Sequence, residues 1–183
     1  MNPHLAALGI SVDALAARGL AECREASNLV VAEVGADGRE HLLVATAAEA
    51  WRKLKAAAAA DSIRLVIVSA FRSVDRQAEI VRRKLDAGAL LVDVLRICAP
   101  PGFSEHHTGR AIDLSTPGSP PLELEFAQTP AFAWLTAQAR RFGFRLSYPV
   151  ANAAGYQYEP WHWCFHDALL DSAANAQPAQ RHA

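Results

Sequence analysis

Phe103–Asp113 reads FSEHHTGRAID, and Tyr158–Trp163 reads YEPWHW. The first stretch supplies His106 and Asp113 on either side of Gly109, and the second supplies Glu159 and His162. Two imidazoles and one carboxylate are the donor types of a hydrolytic zinc site that keeps a position open for water. Glu159, linked to His162 through the stiff Pro160, suits a general base held near such an ion without ligating it. Gly109 permits the tight turn that folds His106 back towards Asp113. The two stretches are expected to meet in space.

Working outward, Ala111–Ser115 reads as a strand and Thr116–Pro121 as a loop. Upstream, Ile63–Ala70 (IRLVIVSA) is a nearly continuous apolar run and reads as a strand buried on both faces. It ends at Phe71-Arg72-Ser73, which places Arg72 at a strand-to-helix corner. Ser73 then caps a helix whose inner stripe is Ala78, Val81 and Leu85, with Arg76, Arg82 and Arg83 outward until Gly88. Ala89–Cys98 reads as a further short helix closed by Pro100 and Pro101.

Nearer the N-terminus, Val12, Leu15 and Ala16 predict one face of a short helix with Ser11 as N-cap and Gly19 as stop. Leu29–Val34 and His41–Ala45 flank Gly35–Gly38 and read as a hairpin. Thr46 and Glu49 have capping-box spacing ahead of an alanine-rich helix that runs to Ala60. Downstream, Thr129 as N-cap and Pro130 at the first helical position open a helix that ends at Gly143. Phe144–Tyr148 and Trp161–His166 follow as strands. These elements predict an α+β fold, a small and mainly antiparallel sheet with helices packed around it.

The 183 residues are expected to form one domain over 1–172 with its motif core at 63–166, followed by a polar tail over 173–183. Such a chain buries a full core without a structural metal, which leaves any metal free for catalysis. A formal net charge of -1 and the absence of a basic block argue against a nucleic-acid partner. Cys23, Cys98 and Cys164 are odd in number and widely spaced, so they read as buried free thiols. No stretch reaches the roughly 20 apolar residues of a membrane span, and the first residues lack the pattern of a signal peptide. Taken literally, that predicts a cytoplasmic location.

SEHHTGRAID fits the pattern S-x-H-x-x-G-x-A-x-D, YEPWHW fits E-x-W-H, and SAFRSVDRQ resembles S-G-Y-R-S-x-x-x-Q. Together they resemble the zinc D-alanyl-D-alanine carboxypeptidases of the VanY type, peptidase family M15, which are related to D-Ala-D-Ala dipeptidases and phage L-alanyl-D-glutamate endolysins. The motifs occur in the family's order between Ser69 and Trp163. The resemblance implies one zinc ion held by His106, Asp113 and His162, with a metal-bound water as nucleophile and Glu159 as catalytic base. It implies that Arg72 polarises the scissile carbonyl, and that Gln77 and Ser104 hold the peptide. Trp161 and Trp163 flank His162 and read either as pocket walls or as core, with Trp161 the candidate for substrate contact. Ala70 and Phe71 stand where relatives often carry Gly and Tyr.

The implied substrate is a peptidoglycan stem peptide or its precursor, cut at its C-terminal D-alanine. By that analogy the periplasm or cell wall becomes the alternative location. Endopeptidase or dipeptidase action on the same fold stays open, as does a non-catalytic, zinc-stabilised peptide-binding domain. His107, beside His106, offers a competing imidazole, but neighbouring side chains on an extended segment point opposite ways. His4, His41, His166 and His182 read as ordinary core or surface histidines.

Overall fold

The computed structural model describes residues 2–167; the expected tail lies outside them. Ala111–Ser115 (β4) and His162–Phe165 (β6) pair antiparallel at the centre of a four-stranded sheet. Val66–Ser69 (β3) closes one edge against β4, and Phe144–Leu146 (β5) closes the other against β6. Because side chains alternate along a strand, Ile112 and Leu114 of β4 and Trp163 and Phe165 of β6 enter the main core. Asp113 and His162 are left on the opposite face.

That core is closed by two helices. Ala45–Ala60 (α3) contributes Ala47, Ala48, Trp51, Leu54 and Ala58, and Pro130–Gln138 (α6) contributes Ala131 and Leu135. The hairpin of Leu29–Val34 (β1) and Glu40–Val44 (β2) forms a separate two-stranded sheet leading into α3. It is tied to that helix through Glu33, whose carboxylate accepts from Trp51 Nε1 at 2.9 Å and lies 2.7 Å from Lys55 Nζ. A second apolar cluster joins Pro3–Ala7 (α1), Val12–Ala17 (α2), Val74–Asp86 (α4) and Leu91–Ile97 (α5) through Leu5, Leu15, Val81 and Val94.

The expected α+β class holds, with two small antiparallel sheets in place of one. Several local expectations are corrected. The helix α3 begins one residue before Thr46, with Val44 at the N-cap and no side-chain cap, so the capping box does not form. Strand β3 is an edge strand with Val66 37% exposed rather than a strand buried on both faces. Its apolar run reflects half-burial on a short edge. Of the face predicted on α2 only Leu15 is buried, and Val12 is 52% exposed. The helix α6 tightens into a 3-10 turn over Ala139–Phe142 before Gly143. Cys164 is buried, but Cys23 and Cys98 are only partly so, and all three are free thiols. No helix among the described residues is long and apolar enough to cross a membrane.

The turn that delivers the site is a 3-10 segment, Glu105–Thr108, closed by Gly109 in the left-handed conformation at φ 64°. A Cβ on Gly109 would lie 2.8 Å from Leu29 Cδ2 and 3.2 Å from the backbone nitrogen of Val44. Position 109 thus excludes side chains twice, by backbone conformation and by the close approach of the hairpin. Gly109→Ala is expected to lower unfolding stability by about 2–6 kcal/mol, left-handed strain and overpacking each contributing about 1–3. A urea titration checks this through a fall in midpoint at unchanged slope.

Candidate metal centre

Cross-strand register brings the two halves of the site together. Asp113 on β4 pairs directly with His162 on β6 and, on its other side, with Ser69 of β3. The 3-10 turn sets His106 over the same carboxylate. Asp113 Oδ1 lies 3.0 Å from His162 Nδ1, and Asp113 Oδ2 lies 3.1 Å from His106 Nε2. One donor atom from each of the three residues falls within 4.8 Å of the others, and all three residues are buried.

The outer nitrogens of both histidines are committed. His106 Nδ1 donates to the carbonyl oxygen of Ala70 at 2.6 Å, which leaves Nε2 as an electron pair turned towards Asp113. His162 Nε2 lies 2.8 Å from Glu105 Oε2, and the same oxygen accepts from the Ser147 hydroxyl at 2.6 Å. Two imidazoles are thereby presented through different nitrogens, Nε2 of His106 and Nδ1 of His162.

Charge in this cluster is unevenly shared. Burial opposes ionisation of Asp113, but His106 and His162 outweigh it and hold the carboxyl well below the usual range. Burial likewise opposes charge on His162, yet its hydrogen bonds to Asp113 and Glu105 raise it to about 10. For His106 burial prevails over Asp113 and the pKa falls. A lone pair and a carboxylate facing each other at 3.1 Å, with a second imidazole alongside, form an electron-rich focus that calls for a cation. The donor set fits zinc: two imidazole nitrogens and a carboxylate oxygen, with outer partners already in place.

Glu159 and Arg72 border this focus. The Glu159 carboxylate is 3.9 Å from His162 Nδ1, beyond hydrogen-bond distance. Burial is the main cause pushing its pKa up to about 7; Asp113 and Glu105 add to the rise, while His162 and Arg72 oppose it. Arg72 leaves β3 as foreseen, with a terminal guanidinium nitrogen 3.8 Å from Asp113 Oδ2. Its Nε is buried and has no hydrogen-bond partner among the described residues.

A cleft of about 650 Å³ opens over these groups, walled by α4, the end of α5 and the segments around Leu122 and Gln157. Gln77 and Ser104 line it and are nearly fully buried. The amide nitrogen of Gln77 donates to Ala99 O at 2.6 Å, and its Oε1 is left without a partner among the described residues. Trp161 also lines the cleft while packing on the main core.

His107 stands outside the focus as expected, but not by strand alternation: it lies in the 3-10 turn, where successive side chains diverge by about 120°. It is fully buried and uses both nitrogens on the backbone: Nδ1 donates to Arg72 O at 2.6 Å, and Nε2 accepts from Gly102 N at 3.1 Å. Sequence reasoning missed its bracing of Arg72, and it missed Glu105 altogether. The only available signal for Glu105 was a carboxylate next to a candidate ligand, which is common on surfaces.

The family model "VanY: D-alanyl-D-alanine carboxypeptidase" matches residues 40–168. The Bacillus subtilis (strain 168) protein YodJ is 32% identical over 145 residues, covering 75% of this chain and 53% of that protein. A D-alanyl-D-alanine carboxypeptidase of Enterococcus faecalis (strain ATCC 700802 / V583) is 28% identical over 117 residues, covering 58% and 42%. The chain thus spans about half or less of the length of these relatives. Among solved structures, the LdcB LD-carboxypeptidase superposes with a TM-score of 0.70 at 29% identity, over 81% of this chain and 72% of that one. A zinc complex of a single-residue mutant of the vancomycin resistance D,D-pentapeptidase VanY shares the fold with a TM-score of 0.63 at 24% identity, over 83% of this chain and 85% of that one. With the three sequence motifs gathered around one donor cluster and the family model covering most of the chain, this protein belongs to the VanY family of D-alanyl-D-alanine carboxypeptidases.

Proposed function

We propose that the protein is a zinc-dependent carboxypeptidase that removes the C-terminal D-alanine from peptidoglycan stem peptides or their precursors. The observation that carries the reading is the convergence of His106, Asp113 and His162 within 4.8 Å, with Glu159 and Arg72 at its border in one cleft. His106 Nε2, His162 Nδ1 and one oxygen of Asp113 would hold the ion. Zinc, when bound, supplies Lewis acidity towards a carbonyl and activates water as a nucleophile.

The chain's own groups complete the chemistry. Glu159 sits close enough to the focus to take a proton from the attacking water and too far from His162 to be tied up by it. Burial, which favours the protonated form of this carboxyl, suits it to return that proton to the departing amine. Arg72 offers a part-buried guanidinium whose Nε is buried and unused, and a carbonyl oxygen developing negative charge would satisfy it. Gln77 Oε1, also buried and unpartnered, suits a peptide N–H, and Ser104 and Trp161 bound the same space. The retained base and guanidinium favour catalysis over a purely peptide-binding domain.

Glu159→Ala is expected to keep zinc while turnover falls by ~10²–10⁴, measured as metal content alongside steady-state hydrolysis of a stem pentapeptide. Full activity in that variant would exclude Glu159 as the base. Arg72→Ala is expected to lower kcat/KM by ~10²–10³ with zinc content unchanged. Mass spectrometry of digested stem peptides identifies the bond. Loss of one alanine from a pentapeptide ending in D-Ala-D-Ala is the expected result, whereas loss only where the terminal D-residue follows an L-residue would indicate the LD specificity named for the LdcB enzyme. Release of a dipeptide or of internal fragments would point to the dipeptidase or endopeptidase alternatives.

A further inference from the structure

His162 is gripped from both sides by carboxylates, and only one of them faces the donor cluster. On the inner side Nδ1 meets Asp113; on the outer side Nε2 meets Glu105 Oε2 at 2.8 Å. Glu105 is not part of the cluster that converges on the focus. Its Oε2 is in turn fixed by the Ser147 hydroxyl at 2.6 Å, and Ser147 follows directly on β5, whose register with β6 is set by the sheet. The backbone N–H of Ser147 also donates to the carbonyl of His162 at 3.3 Å, so the same residue holds both His162 and the carboxylate behind it.

An ionised carboxylate only accepts hydrogen bonds. Facing Glu105, the Nε2 of His162 must therefore carry the proton, and Nδ1 is the nitrogen left to donate an electron pair once its own proton is displaced. His106 solves the same problem with a neutral partner, the carbonyl of Ala70. The two ligand histidines are thus backed unequally, one by a dipole and one by a full negative charge. A charged acceptor raises the basicity of the imidazole beyond what a carbonyl does. Asp113 and Glu105 together also balance the charge of a divalent ion.

We infer that Glu105, held in place by Ser147, is a positioning residue that fixes the tautomer, orientation and donor strength of His162 towards the metal. The inference rests on the zinc reading of the site and adds to it a chain group that acts through a ligand rather than on the ion. A purely structural Glu105 would instead hold the 105–108 turn to β5 and leave the metal's affinity and electronic environment unchanged.

The test uses the full chain and zinc itself. Zinc affinity is measured by competition with a chromophoric chelator for the wild type, Glu105→Ala, Glu105→Gln and Ser147→Ala, and the cobalt(II)-loaded forms are compared by visible absorption. Glu105→Ala is expected to lose roughly 10–100-fold in zinc affinity. Glu105→Gln, which keeps an acceptor without the charge, should fall between it and the wild type. Ser147→Ala should shift in the same direction by less, and the cobalt bands of both Glu105 variants should move. Wild-type binding accompanied by variant affinities within about twofold of it, and by unmoved bands, overturns this inference while leaving the zinc reading intact. A wild-type chain that binds no zinc overturns both. Should Glu105→Ala fail to fold, the Gln and Ser147 variants decide by the same criteria.

Discussion

The pairing of Asp113 with His162 across β4 and β6 is the constraint on which the rest of the structure depends. The two residues are 49 positions apart in sequence and 3.0 Å apart at their side chains. Burying the Asp113 carboxylate, only 5% exposed, carries a desolvation cost of several kcal/mol. The folded state tolerates it because His106, His162 and Arg72 gather around the same group. What keeps them there is the opposite face of the same strands. A slip of one residue in β6 would turn Trp163 into the site and His162 into the core. The apolar packing of Ile112, Leu114, Trp163 and Phe165 against α3 and α6 therefore enforces the register that the chemistry requires.

Two glutamates flank His162, and their environments divide them. Glu105 is desolvated too, but hydrogen bonds from His162 and Ser147 outweigh burial and its pKa falls. Glu159 is desolvated without such bonds; its carboxylate stands 3.9 Å from Nδ1, and its pKa rises. One carboxylate is thus fixed as an anion and the other is left able to exchange a proton near neutrality. This is the separation expected when like groups beside one centre serve different ends.

Much of this was legible in the sequence, and the reasons differ by element. Residue type and spacing identified β4 and the capped helices α4 and α6, because Ser73, Thr129 and Pro130 act locally. The donor cluster was legible because His106, Gly109 and Asp113 lie in one short segment and His162 in another, and both carry specific patterns. Interactions decided at a distance were not. The edge position of β3 depends on a strand order that no local run encodes. Glu105 escaped notice for the same reason. Its meaning comes from His162 and Ser147, 57 and 42 residues away.

Two of the motifs also form one mechanical unit, in which the histidine rings and backbone of one bind backbone groups of the other. The ring of His106 holds the carbonyl of Ala70, the carbonyl of His106 accepts the N–H of Arg72 at 3.3 Å, and the ring of His107 holds the carbonyl of Arg72. Phe71 is fastened separately, its N–H donating to Leu42 O at 3.0 Å. Segment 70–72 is thus clamped to segment 106–107 without use of the side chains at 70 and 71. The clamp therefore holds the guanidinium of Arg72 beside Asp113 without drawing on the side chains of Ala70 and Phe71. The adjacent histidines His106 and His107 divide the work: one ring turns its free nitrogen to the metal focus, and the other secures the residue that would stabilise the oxyanion. Two neighbouring imidazoles that look redundant in the sequence thus take different partners, His106 turning to Asp113 and His107 to the backbone of Arg72 and Gly102.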